Sequence, residues 1–148
     1  MTQEEFVQVL KKEKYSFRRA GDEIVVTHQG DVRLDSLKSL PPGVQFQNRG
    51  NVYLDSLESL SPDVQFQNRG YVILDSLKIL TSDVRFQNQG GVWLHSLESL
   101  PPGVRFQNQR DVWLGSLVGG WFEDWKGNIG GVDPKRLLNL MIDKSLFL

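Results

Sequence analysis

The 148-residue sequence contains no cysteine, which excludes disulfide staples and thiolate metal sites. It has no apolar run approaching the roughly 18 residues that a membrane-spanning helix requires. The first residues, MTQEEFVQVLKKEKY, are charged throughout and lack the apolar stretch of a secretory signal. Neither sign of charge dominates. Lysine plus arginine (17) nearly balances aspartate plus glutamate (18), without the basic excess of a dedicated nucleic-acid binder. Histidine is scarce, at two residues, and no nucleophile–base constellation or phosphate-cradling loop is present. The one candidate for such a loop, GNIGG at residues 127–131, lacks the preceding strand, the spacing and the lysine of a P-loop. These absences lead to the expectation of a cytoplasmic, non-enzymatic, single-domain protein. It should have no cofactor, no metal, no nucleic-acid partner and no membrane partner.

What the sequence does have is repetition. DSLKSLPPGVQFQNRG at residues 35–50 recurs as DSLESLSPDVQFQNRG at residues 55–70, in a period of 20 without insertions. Val32, Val52, Val72, Val92 and Val112 form one column, and Leu34, Leu54, Leu74, Leu94 and Leu114 the next. Leu37, Leu57, Leu77, Leu97 and Leu117 follow, then Leu40, Leu60, Leu80 and Leu100. Val44, Val64, Val84 and Val104 precede Phe46, Phe66, Phe86 and Phe106. The segments VxL and VxFxN alternate with period two, as short half-buried strands do. Pro41-Pro42-Gly43 and Pro101-Pro102-Gly103 suit tight turns with glycine at positive φ, and Asp63 and Asp83 take that place in other units. Gly30, Gly50, Gly70 and Gly90 mark the other corner, with Arg110 in the last. Twenty residues leave no room for a helical crossover. The predicted fold is therefore an all-β, single parallel β-solenoid of about five to six 20-residue coils, in which each residue sits on its own copy. YSFRRAGDEIVVTHQG extends the period backwards, placing Phe17 in the Leu37 column, Ala20 under Leu40, Ile24 under Val44 and Val26 under Phe46. A degenerate first coil is thus expected from Tyr15.

The unit VxLxSLxSLPxGVxFxNxG resembles the leucine-rich-repeat-like solenoid proteins of bacteria and phages over residues 30–117. The resemblance implies a repeat scaffold of bacterial type that acts as an interaction module. An ordinary leucine-rich repeat places asparagine after LxLxx, where this chain has Leu37 and Leu57. Here Asn48, Asn68, Asn88 and Asn108 follow VxFx instead, which favours a compact β-helix over a horseshoe.

Open solenoid ends template aggregation, so both ends should be capped. Thr2 and Glu5 form a T-x-x-E box opening a helix to about Lys12, with Phe6, Val9 and Leu10 on one face. Asp133-Pro134 reads as the start of a second helix through Leu137, Leu138, Met141 and Ile142. The expected organisation is an N-terminal capping helix over 1–14, a repeat solenoid over 15–117, and an aromatic loop with a capping helix over 118–148.

Among the polar columns, Asn48, Asn68, Asn88 and Asn108, with His28, are expected to stack as structural amides. Lys38, Glu58, Lys78 and Glu98 alternate in sign and should pair between coils. Asp35, Asp55 and Asp75 stack under His95. Hard cations want ligands converging from several directions, which a linear ladder does not offer, and Asx-type bonds to the backbone would explain the column instead.

The column Arg33, Tyr53, Ile73, Trp93, Trp113 lies between two inward columns and so turns outward, with Tyr71 on the same face. Two readings of it stand side by side. Either WFEDWKGN and the final SLFL fold back over it as a cap, or it is a binding surface centred on Trp93 and Trp113 and extended by Tyr53, Ile73 and Tyr71. The functional expectation is a non-enzymatic scaffold that holds an unidentified protein partner, or another copy of itself, through this aromatic column. The alternative is a carbohydrate or other ligand-binding module with Trp93 and Trp113 as stacking platforms. Ice binding is disfavoured by the long side chains of Gln45, Gln47, Gln65 and Gln67, whose ordering costs entropy. A polysaccharide-degrading β-helix is disfavoured by loops too short to build a cleft.

Overall fold

The period of 20 becomes a ladder in the computed structural model, which describes residues 1–61, 63–81, 84–98 and 105–114. After helix α1 (Gln3–Lys12) come strands β1 (Phe17–Ala20), β2 (Glu23–Val26), β3 (Val32–Arg33), β4 (Val44–Phe46), β5 (Val52–Tyr53) and β6 (Gln65–Phe66). They continue as β7 (Val72–Ile73), β8 (Arg85–Phe86), β9 (Val92–Trp93), β10 (Arg105–Phe106) and β11 (Val112–Trp113). Sheet A runs β1-β2-β4-β6-β8-β10 and sheet B runs β11-β9-β7-β5-β3. From β2 onward every pairing is parallel and joins residues 20 apart, such as Phe46 with Phe66 and Val52 with Val72. The arm between the sheets stacks too, with Glu58 N–H donating to Lys38 O at 2.8 Å and Glu98 N–H to Lys78 O at 2.9 Å. The result is an all-β parallel solenoid of about four turns with one short N-terminal helix.

The expected inward columns form the core. Val32, Leu34, Leu37, Leu40, Val44 and Phe46 are buried, and so are their described repeats. The phenylalanines stack face to face. Ring centroids lie 5.3 Å apart from Phe46 to Phe66 and from Phe66 to Phe86, and 5.1 Å from Phe86 to Phe106, with planes within 7°. Such pairs contribute about 0.5–1.5 kcal/mol beyond the area they bury.

The asparagines are buried at the glycine corner, where they do not bond to one another. Asn68 Nδ2 shares its protons among Gly50 O, Gly70 O and Tyr71 O at 3.0–3.2 Å, and so clamps one coil to the one before it. Asn48 and Asn88 repeat the pattern. At the Arg110 corner the matching bond from Asn108 to Asp111 O stretches to 3.5 Å, so this corner departs from its siblings as its missing glycine implies. The amide ladder is formed by glutamines on the outer face of sheet A, running from Gln47 through Gln67 and Gln87 to Gln107 at 2.8–3.1 Å.

The N-terminal cap forms as its sequence dictates. Glu5 N–H donates to Thr2 Oγ1 at 3.1 Å, and Phe6, Val7 and Leu10 bury against the first coil while Val9 is half-buried. Tyr15 closes the edge of sheet B, because its hydroxyl accepts from Arg33 N–H at 3.0 Å and donates to Arg33 O at 3.3 Å. One expectation is overturned here. Residues 17–26 do not make a full first coil, since β1 folds back on β2 as an antiparallel hairpin, Ala20 facing Glu23. Gly21, at φ 63°, supplies the two-residue turn with Asp22, and this local hairpin chemistry outweighs the long-range repeat. Phe17 and Ala20 are therefore only half-buried, whereas Ile24 and Val26 join the ladder as expected. The loop and helix expected over 118–148, with Leu100, Val104 and Leu117, lie outside the described residues. Among the described residues no helix is long and apolar enough to cross a membrane.

Candidate functional site

Strand alternation turns position 33 and its repeats away from the core, and parallel stacking brings them into one column on sheet B. At the N-terminal end the Arg33 guanidinium lies over the Tyr53 ring, 3.9 Å from its centroid. Tyr53 is held by Asn51, whose Nδ2 donates to the phenol oxygen at 3.0 Å. Ile73 stacks in register between Tyr53 and Trp93 and is buried, so it supports the column without presenting surface. The C-terminal end gathers four rings. Trp93 lies 5.7 Å from Trp113 and 6.1 Å from Tyr71, and His95 stacks on Trp93 at 5.6 Å and meets Trp113 edge-on at 6.3 Å. Tyr71 is exposed, and both indoles are half-buried.

These rings border a depression of about 310 Å³ lined by Tyr71, Trp93, Trp113, Gln109, Arg110 and Asp111. Three of those residues were not candidates from sequence, because 109–111 belong to the polar corner of a neighbouring coil. The available signal was the doublet Gly90-Gly91. A Cβ on Gly91 would meet Asp111 O at 2.9 Å and the Tyr71 ring at 3.0 Å, so glycine there leaves room for the ring to lie across the corner. His95 likewise aligns with the aspartates in the repeat, yet its ring belongs equally to the aromatic group.

No protein-family model, curated protein or solved structure matches this chain.

Beside the rings runs the aspartate column. Oδ1 of Asp35 and of Asp55 is buried and accepts no hydrogen bond, so the expected backbone Asx bonds do not explain it. Polar partners lie at its ends instead, the Arg33 guanidinium 3.8 Å from Asp35 and His95 Nδ1 3.5 Å from Asp75. Among the described residues no group of three or more His, Asp or Glu converges as metal ligands would. Burial raises the Asp55 carboxyl above the usual aspartate range, the neighbouring Asp35 and Asp75 raise it further, and Arg33 partly opposes them. The protonated form is thus the one the fold favours. Its stabilising contribution is full below the ordinary aspartate range and is lost as pH rises through the raised value. Asp55→Asn is expected to be more stable than wild type at neutral pH by about 0.2–1 kcal/mol, the scale of a like-charge cross-strand pair. The difference should vanish in acid, and thermal melts across pH measure it. A variant less stable than wild type at neutral pH contradicts this electrostatic account.

Proposed function

We propose that this solenoid is a non-enzymatic binding module that holds a protein partner against the outer face of sheet B. The supporting observation is the contiguous ring group Tyr71, Trp93, His95 and Trp113 on the outer face of sheet B. Aromatic residues in such clusters dominate interface energies, because they shed large apolar area at low entropic cost. Asp75 and Asp111 flank the rings, so the favoured partner presents arginine or lysine side chains, which gain both cation–π and ionic contacts. The proposal includes the finer architecture read from sequence: five to six coils, a closing segment over 118–148, leucine-rich-repeat-like kinship and a cytoplasmic setting.

A carbohydrate ligand is the second reading. It is favoured by the 310 Å³ depression, where ring faces stand beside the planar polar groups of Gln109, Arg110 and Asp111. A glycan array separates the two. For a partner recovered from the source cell, Trp93→Ala is expected to weaken affinity about 30-fold or more, equivalent to about 2 kcal/mol. Titration calorimetry measures the loss. Unchanged affinity in the double variant Trp93→Ala/Trp113→Ala removes this surface as the site.

A further inference from the structure

A different face of the coil carries an independent inference. The arm between the two sheets stacks Lys38, Glu58, Lys78 and Glu98 in one outward column, four charges alternating in sign at successive coils. Within the chain this ladder is only partly satisfied. Lys38 Nζ lies 3.8 Å from Glu58 Oε1, with both side chains mostly exposed, and among the described residues Lys78 and Glu98 close no ion pair. Beside the column stands Ile79, 64% exposed, in the position that Ser39 and Ser59 occupy in earlier coils. A depression of about 570 Å³ opens here, lined by Lys38, Ser56, Glu58, Ser76, Lys78 and Ile79.

The order basic, acidic, basic, acidic has a symmetry property. If a second copy faces this arm with its stack running the opposite way, the first position meets the fourth and the second meets the third. Lys38 then opposes Glu98 of the second copy, and Glu58 opposes its Lys78, so all four cross-contacts join unlike charges. With the stacks running the same way, every contact joins like charges. The two-fold axis of the antiparallel arrangement lies across the arm between the coils of Glu58 and Lys78. There each Ile79 faces Ser59 of the second copy and leaves water. We infer that this arm is a self-complementary docking surface for a second copy of the chain, in antiparallel orientation. Such isologous contacts are the commonest form of self-association.

The face is small. A few coils at ~4.8 Å spacing and an arm of about 3.3 Å per residue cover roughly 250 Å² per copy. A stable interface uses about 800 Å² per partner, so the dimer is weak and salt-sensitive.

The test exploits charge order at constant composition. Lys38→Glu with Glu58→Lys converts the order to acidic, basic, basic, acidic, which places like charges opposite each other in the antiparallel pair. Lys78→Glu with Glu98→Lys produces the charge-inverted order, basic, acidic, acidic, basic. Sedimentation velocity over a concentration series reaching millimolar, at low and high salt, should show wild type self-associating more strongly at low salt. Each double variant alone should associate about tenfold more weakly or worse. An equimolar mixture of the two should regain wild-type association, because each is complementary to the other. The mixture cancels any change in folding within a chain, and melting curves of each variant establish that it is folded. Trp93→Ala run in parallel should associate as wild type does, which separates this face from sheet B. A wild type that stays monomeric throughout, double variants that associate like wild type, or a mixture that fails to recover overturns the inference.

Discussion

Phe66→Ala is expected to destabilise the solenoid by about 3–5 kcal/mol, the range for truncating a fully buried aromatic. The ring is completely buried and sandwiched between Phe46 and Phe86, each 5.3 Å away and nearly parallel to it. Removing it leaves a void that the neighbours cannot close, because backbone bonds fix the coil spacing. Gln67 N–H donates to Phe46 O and Gln87 N–H to Phe66 O, both at 2.7 Å. Shrinking the gap would break these bonds on sheet A while sheet B stayed at its own spacing. Since each coil touches only its neighbours, a weak middle coil also divides the stack. Urea unfolding should therefore show a lower midpoint and a broader transition. A loss below about 1 kcal/mol would mean that the coils can reapproach, contrary to a rigid ladder.

Gly90→Ala is expected to cost about 3 kcal/mol or more, at or beyond the top of the overpacking range. An added Cβ would sit 2.5 Å from Gly70 C, 2.7 Å from Gly70 O and 2.7 Å from Tyr71 N. All three are backbone atoms of the preceding coil and none can swing aside. The corner there is also clamped by Asn88, which bonds Gly70 O, Gly90 O and Gly91 O. Gly30 provides the control, since a Cβ at that position of the same column meets only His28 ring atoms at 3.9 Å. Gly30→Ala should change stability by less than about 0.5 kcal/mol, as surface substitutions usually do. Thermal melts of the two variants make the comparison, and equal effects would show that the glycine column answers to something other than coil-to-coil contact.

The repeat columns were legible because a solenoid converts sequence period directly into spatial neighbours. Val32 lies beside Val52, and Phe46 beside Phe66, with no information needed beyond the spacing. The Thr2 cap was legible for a related reason, its partner Glu5 being three residues away. Reasoning from the period failed where a local alternative competed. Phe17 aligns with Leu37, but Gly21-Asp22 turns the chain back before a coil can close. The candidate site was legible in part. Outward alternation picked out Tyr53, Trp93 and Trp113, yet alternation does not report how much a neighbouring ring covers, and Ile73 is buried by its own column.

By itself the sequence determined the period, the parallel register, the inward columns and the N-terminal helix, all of which follow from spacing along the chain and from contacts within a few residues. Tertiary structure alone decided three things. It directed the asparagine amides to corner carbonyls, because stacking brings three acceptors within reach of each Nδ2. It required glycine at positions 50, 70 and 90 through approach of the preceding coil's backbone, a distance that no single coil contains. It also brought His95 into the group of Tyr71, Trp93 and Trp113, since ring-to-ring contact depends on side-chain directions that are set only when successive coils are stacked.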